Sequence, residues 1–258
     1  MKNVVKTSIQ SLIKALRLDT VRSQKHNADA PSYPPDFSKQ NIEICDIVKP
    51  NTMTNPERVN ALIDAVHYIV KNNIEGAMVE CGVWKGGSSM AMAMTLKNLG
   101  YDNRDLYLYD TFSGMTAPSD LDISFRGTAA HHQFSKAKTS EDASDWCLSP
   151  LEEVKENMFS TGYNKERIHF IKGKVEDTIP KNIPTEIAIL RLDTDWYEST
   201  KHELIHLFPL LSPNGVLIID DYGYWKGSRK AVDEYISDNN IQILLNRIDL
   251  SCRVAIKT

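Results

Sequence analysis

A chain of 258 residues, 41% hydrophobic and 25% charged, has room for one α/β domain with a full core, or for a domain plus an appendage. Its net charge of −4 offers no general attraction for nucleic acid, and no apolar run approaches the ~18–20 residues that span a bilayer, so neither nucleic acid nor stable membrane insertion is expected. Cys45, Cys81, Cys147 and Cys252 show no paired spacing, which argues against a zinc or disulfide framework and suits a reducing cytoplasm.

Residues 1–17 place Val5, Ile9, Leu12, Ile13 and Leu16 at helical spacing with lysines between them, and predict an amphipathic helix that covers the domain or a second subunit. Such a basic helix also has the character to touch a membrane surface, but the stretch lacks the continuous apolar core of a signal peptide. Residues 18–40, with Pro31, Pro34 and Pro35, read as a linker, and 41–53 show no clear period. Residues 1–53 are therefore expected to be a helix and linker acting as lid or oligomer contact, with the main domain over 54–258. Thr54, followed by Pro56-Glu57, is a candidate N-cap for a helix over about 55–72 that aligns Val59, Leu62, Ile63, Val66, Ile69 and Val70.

The run Ala77–Cys81 then enters a glycine-rich turn, Gly82-Val83-Trp84-Lys85-Gly86-Gly87-Ser88-Ser89, and a helix from Met90 to about Leu99. This is the first βα unit of a dinucleotide or nucleoside fold: Gly82 lets the chain turn and a ligand approach, and Ser88 sits near a helix N-terminus. It is neither a P-loop nor the strict dinucleotide pattern. A second strand, Leu106–Tyr109, ends in Asp110, where an acid is the usual partner of ribose hydroxyls. Thr111 and Phe112 follow and are placed to line a nucleoside pocket. Residues 116–150 are polar and long enough to form a lid loop, in which His131 and His132 either enter a substrate pocket or face solvent. A helix over about 150–161 and a strand at Ile168–Ile171 come next.

Two apolar runs end abruptly in acids. The first begins at Ile187 and stops at Asp193, with Asp195 two residues on; Gly215–Ile219 stops at Asp220-Asp221. Both read as strands buried on both faces, and ligands bind at the C-terminal ends of parallel strands. If the strands are neighbours, the carboxylates crowd one edge, and some must be protonated or share a cation. Oxygen-only ligands suit Mg²⁺ or a similar hard cation. His202-Glu203-Leu204-Ile205-His206 is a literal match to a zinc-protease motif, but it falls on the expected crossover helix with no third ligand at suitable spacing. Ser228 is a candidate cap for a helix over about 229–237. Ile241–Leu245 and Cys252–Ile256 predict a hairpin that closes the sheet with an antiparallel edge.

Taken together, Val79–Ser89, Asp110–Met115, Leu190–Thr200 and Val216–Lys230 resemble class I S-adenosylmethionine-dependent methyltransferases. More closely they resemble the metal-dependent macrocin O-methyltransferase family, which acts on sugar hydroxyls. The resemblance covers about residues 54–258. It implies a Rossmann-like α/β fold: a seven-stranded, mostly parallel sheet with helices on both faces and an antiparallel C-terminal strand. It also implies that Glu80, Gly82 and Ser88 border the methionine part of S-adenosylmethionine, that Asp110 holds its ribose, and that Val175 and Glu176 flank its adenine beside Asp177. Asp193, Asp220 and Asp221 would bind Mg²⁺, and Asp195 would be the general base. The implied enzyme methylates a sugar or glycosylated small molecule, or a polysaccharide, as a cytoplasmic homo-oligomer. A catechol or phenol O-methyltransferase and a non-catalytic S-adenosylmethionine-binding module are the alternatives, the second disfavoured by the intact acidic set.

Overall fold

The computed structural model describes residues 33–258, so the helix expected over 1–17 lies outside the described residues. Ser38–Thr258 forms one unit, distinct from Met1–Phe37. Helix α1 (Lys39–Val48) opens the unit, where the sequence shows no clear period. Only Asn41, Ile44, Cys45 and Val48 are buried along it, too narrow an apolar stripe to stand out in a short segment. Helix α2 (Pro56–Lys71) follows, with Pro56 at its start and the expected apolar face buried. Its cap is Asn55, not Thr54: the Asn55 side chain accepts the Arg58 N–H at 2.9 Å. Thr54 is used elsewhere, as an acceptor for Arg191.

The sheet centre is built from β1 (Ala77–Cys81), β4 (Ile187–Leu192) and β5 (Leu211–Ile219). Every residue of β1 and β4 is buried, which explains why they are apolar except at Glu80 and Arg191. Between β1 and β4 in the chain lie α3 (Gly87–Asn98), β2 (Leu106–Asp110), α4 (His131–Ala137), α5 (Leu151–Ser160), β3 (Ile168–Lys172) and the single turn α6 (Val175–Thr178). After β4 come α7 (Tyr197–Leu207), β5, α8 (Lys226–Asp238), β6 (Asn246–Arg247) and β7 (Arg253–Ile256). The strand order is β3-β2-β1-β4-β5-β7-β6. The first five are parallel and the last two antiparallel, as expected. Among the described residues no helix is long and apolar enough to cross a membrane.

Alternation along the strands sends neighbouring residues to opposite faces. Val79, Cys81, Leu190, Leu192, Leu217 and Ile219 pack with Leu204 and Leu207 of α7 and Val232 of α8. Glu80 and Arg191 point the other way, toward Ser89 of α3 and Thr54 just before α2. Register then fixes the site. Glu80 lies opposite Arg191, and Leu192 opposite Ile219, so Asp193 and Asp220 leave adjacent strand ends side by side.

Two boundaries differ from expectation. Helix α8 begins at Lys226 with Trp225 as its cap residue, leaving Ser228 inside the helix and buried. Ile241–Leu245 is not a strand; the hairpin's first strand is the two-residue β6. Ile241, Ile243 and Leu245 pack on the core while Leu244 is 74% exposed, so the segment has strand periodicity without ladder partners. Ile243→Ser should therefore cost about 1–2 kcal/mol of stability in urea denaturation, the scale for losing part of a buried aliphatic side chain. Leu244→Ser should leave the midpoint unchanged; equal effects at both positions would contradict this alternation.

Candidate active site

Five acids gather at the C-terminal edge of β1, β4 and β5, and a buried arginine organises them. Arg191 is almost fully buried on β4. It donates to Glu80 and Asp220 at 2.6 Å each, to Asp193 at 2.7 Å and to the Thr54 hydroxyl at 3.3 Å. A second guanidinium, Arg58 from α2, is ion-paired with Asp220 and with Asp249. Asp193, Asp220 and Asp221 each present a carboxylate oxygen within 4.8 Å of the others.

Part of the cation that the acids require is supplied by Arg191 and Arg58. The acids are nonetheless Glu80, Asp193, Asp195, Asp220 and Asp221 against those two guanidiniums. Loss of hydration and mutual repulsion push Asp193 and Asp221 well above the usual carboxylate range, and Asp195 up to about 7. Every donor atom in the cluster is a carboxylate oxygen, with lone pairs beyond those the guanidiniums use, so the set fits a hard divalent cation.

Asp195 is set apart from its neighbours. It has a left-handed backbone, φ 68°, which turns the chain after β4 and aims its carboxylate at Trp225. The Trp225 indole N–H donates to Asp195 Oδ1 at 2.8 Å. The Asp195 N–H reaches Asp221 Oδ2 at 3.3 Å. On the other side the turn after β1 presses on this loop: a Cβ on Gly82, whose φ is +86°, would overlap the Asp193 carbonyl oxygen.

Asp110 shapes the glycine-rich turn. Its Oδ2 accepts the N–H groups of Val83 at 2.7 Å and Trp84 at 2.9 Å, and its Oδ1 accepts that of Phe112 at 2.7 Å. Burial raises its proton affinity, and these three backbone bonds oppose that. Oδ2 thus has both lone pairs engaged, while Oδ1, with one short backbone bond, keeps a further acceptor site for a ligand hydroxyl.

One cavity of about 560 Å³ connects these features. Glu80, Gly82, Ser88, Asp110, Thr111, Val175, Glu176, Asp193, Asp195, Asp220 and Asp221 all line it. Of the expected cofactor residues only Phe112 does not: its side chain is buried at 3% exposure and it contributes through its backbone N–H. His131 and His132 are exposed on α4 and are not among the lining residues, whereas Gln133 is. The His202 ring bonds the Ile179 carbonyl at 3.0 Å and stacks near His206, away from the cavity.

The expected lid, residues 116–150, is tied down in its first half. The buried Asp122 accepts the Tyr197 N–H at the start of α7, and the Ile123 carbonyl accepts the Lys226 N–H at the start of α8. Trp146, Trp196 and Trp225 then meet edge to face, 5.1–6.4 Å apart. Trp84, Trp146, Trp225 and Tyr224 give the cavity an aromatic wall that the sequence reading did not single out. Arg191 was equally passed over, although an arginine inside an otherwise apolar strand was a visible signal.

With this geometry in hand, comparison with known proteins is informative. The macrocin-O-methyltransferase (TylF) family profile matches residues 6–256. The chain is 32% identical over 199 residues to 8-demethyl-8-(2,3-dimethoxy-alpha-L-rhamnosyl)-tetracenomycin-C 4'-O-methyltransferase of Streptomyces olivaceus, covering 77% of this chain and 72% of that one. It is 31% identical over 198 residues to mycinamicin III 3''-O-methyltransferase of Micromonospora griseorubida, covering 75% of each. Among solved structures it is similar to the O-methyltransferase NovP, with TM-score 0.70, 29% identity and coverage of 81% and 82%.

The acid cluster should depend on Arg191 for folding. Arg191→Met would leave Glu80 buried and uncompensated, at an expected cost of about 3–5 kcal/mol. Urea denaturation measures it. A loss below about 1 kcal/mol, an ordinary substitution effect, would mean that the acids do not rely on this charge.

Proposed function

This chain belongs to the macrocin O-methyltransferase family, and we infer that it methylates a hydroxyl of a sugar or glycosylated small molecule with the help of a divalent cation such as Mg²⁺. It is an S-adenosylmethionine-dependent O-methyltransferase. The sugar acceptor is extended from relatives whose names specify methylation on rhamnosyl-tetracenomycin and mycinamicin. The observation that carries the metal reading is the convergence of Asp193, Asp220 and Asp221 inside the cavity that Asp110 and Glu176 also line.

Roles follow from position. Gly82, Ser88 and Thr111 border the methionine and ribose portions of the cofactor, Asp110 accepts from the ribose hydroxyls, and Val175 and Glu176 flank the adenine. Glu80, on the cavity floor, holds Arg191 and through it the metal-binding acids. S-adenosylmethionine supplies an electrophilic methyl carbon, and a cation held by Asp193, Asp220 and Asp221 would lower the pKa of a neighbouring hydroxyl. Asp195 takes the proton that the acceptor oxygen gives up as its electron pair bonds to the methyl carbon, while the C–S bond breaks and its pair leaves on the sulfur of S-adenosylhomocysteine. Trp225 fixes the Asp195 carboxylate while leaving Oδ2 free of that bond. A base poised near neutrality suits a hydroxyl that has already been acidified.

Asp195→Asn should keep cofactor and metal affinity and lower kcat by roughly 10²–10⁴, the usual share of general base catalysis. Asp193→Asn should instead weaken metal binding, with the rate partly recovering at high Mg²⁺. Steady-state kinetics across a Mg²⁺ titration, with sugar-bearing acceptors and a chelated control, check both. Rescue of Asp195→Asn and not of Asp193→Asn would reverse the roles, and full activity after exhaustive chelation would make the acids structural.

A further inference from the structure

Beneath the Asp193–Asp195 turn lies an acid that the reaction does not use. Glu203, in the second turn of α7, is completely buried. Its Oε1 accepts the Thr194 hydroxyl at 2.9 Å. Its Oε2 has no hydrogen-bond partner, the sole such buried side-chain oxygen or nitrogen among the described residues. Burial, and after it the nearby acids, push Glu203 well above the usual carboxylate range. Burial first, and Glu203 next, hold the proton on the adjoining Cys81 thiol.

An orphan buried carboxyl destabilises a core, and a methionine of similar length would fill the same space without that cost. What the carboxyl supplies in return is a fixed acceptor for Thr194, which stands between Asp193 and Asp195. The same turn is held by the Trp196 N–H on the Thr194 carbonyl at 2.8 Å and by the Ser199 hydroxyl on that carbonyl at 3.4 Å. Neither of those bonds reaches the Thr194 side chain. The left-handed Asp195 backbone follows directly, in a conformation that Asp adopts more readily than most residues with a Cβ.

We propose that Glu203 is a positioning residue that fixes the Asp193–Asp195 turn through Thr194. This rests on the reading of that turn as the metal-binding and base-bearing segment. It also gives the glutamate of His202-Glu203-Leu204-Ile205-His206 a function unrelated to zinc: the two histidines are partly exposed on α7, and Glu203 points inward.

The test compares Glu203→Gln, Glu203→Met and Thr194→Val in the full chain by thermal melting, hydrogen exchange of peptides covering residues 193–197, and kinetics. Glu203→Gln retains a neutral acceptor and should exchange and turn over like wild type. Glu203→Met should melt at the same temperature or higher, yet exchange at least tenfold faster over 193–197. Its kcat should fall about 10- to 100-fold, the scale for sub-ångström to ångström misplacement of a catalytic group, with KM for S-adenosylmethionine unchanged. Thr194→Val should reproduce both changes, and the double variant should add nothing. Wild-type exchange over 193–197 in Glu203→Met or in Thr194→Val would overturn the proposal; if Glu203→Met does not fold, Thr194→Val alone decides it. Exchange does not need an acceptor. Absent wild-type turnover would therefore count against the methylation reading, while the exchange result still decides the role of Glu203.

Discussion

Arg191 holds a full positive charge inside a parallel sheet, and such a charge is stable only where acids and hydrogen-bond acceptors surround it. Here the surroundings come from four separate segments. Glu80 belongs to β1, Asp193 follows β4, Asp220 follows β5, and Thr54 precedes α2. The bonds therefore fix the relative height of three adjacent strand ends. Arg191 and Arg58 offset part of the acids' mutual repulsion, and the five acids outnumber these two guanidiniums.

The same constraint accounts for the loop after β4. Arg191 and Asp193 are two apart, and a bond between their side chains draws the start of the loop back over the strand. Gly82 leaves room for that return, since no Cβ stands between β1 and the Asp193 carbonyl. The chain must then reverse quickly to enter α7, and Asp195 adopts the left-handed conformation that allows it. Its carboxylate emerges beside Trp225, which also lines the cavity. Asp193, bonded to Arg191, and Asp195, bonded to Trp225, are in this way separated within three residues.

Much of this was legible in the sequence because period and punctuation carry it. Largely apolar runs ending in Asp193 and Asp220 mark central strands, and the Gly82–Ser89 turn marks the first βα unit. Residues whose roles depend on tertiary placement were not legible. Arg191 looks like an interruption of an apolar strand until the register puts Glu80 beside it. Trp146 and Trp225 are far apart in sequence and meet only when the insertion folds back onto α7 and α8. The strand expected at Ile241–Leu245 failed for a different reason. Alternating burial describes a surface contact as well as a ladder, and here the contact is with the core while the backbone hydrogen bonds are made elsewhere. Helix α1 escaped notice because a ten-residue helix with four buried positions carries little periodic signal.

The central claim is that the acids ordered by Arg191 form a divalent-cation site next to the methyl-donor pocket. Anomalous diffraction from crystals grown with S-adenosylhomocysteine and Mn²⁺, an oxygen-preferring stand-in for Mg²⁺, tests it most directly. The account predicts one anomalous peak bonded to carboxylate oxygens of Asp193, Asp220 and Asp221, with the Asp110 carboxylate on the ribose hydroxyls of the same complex. No peak among those acids, or manganese held at His202 and His206 instead, would contradict it.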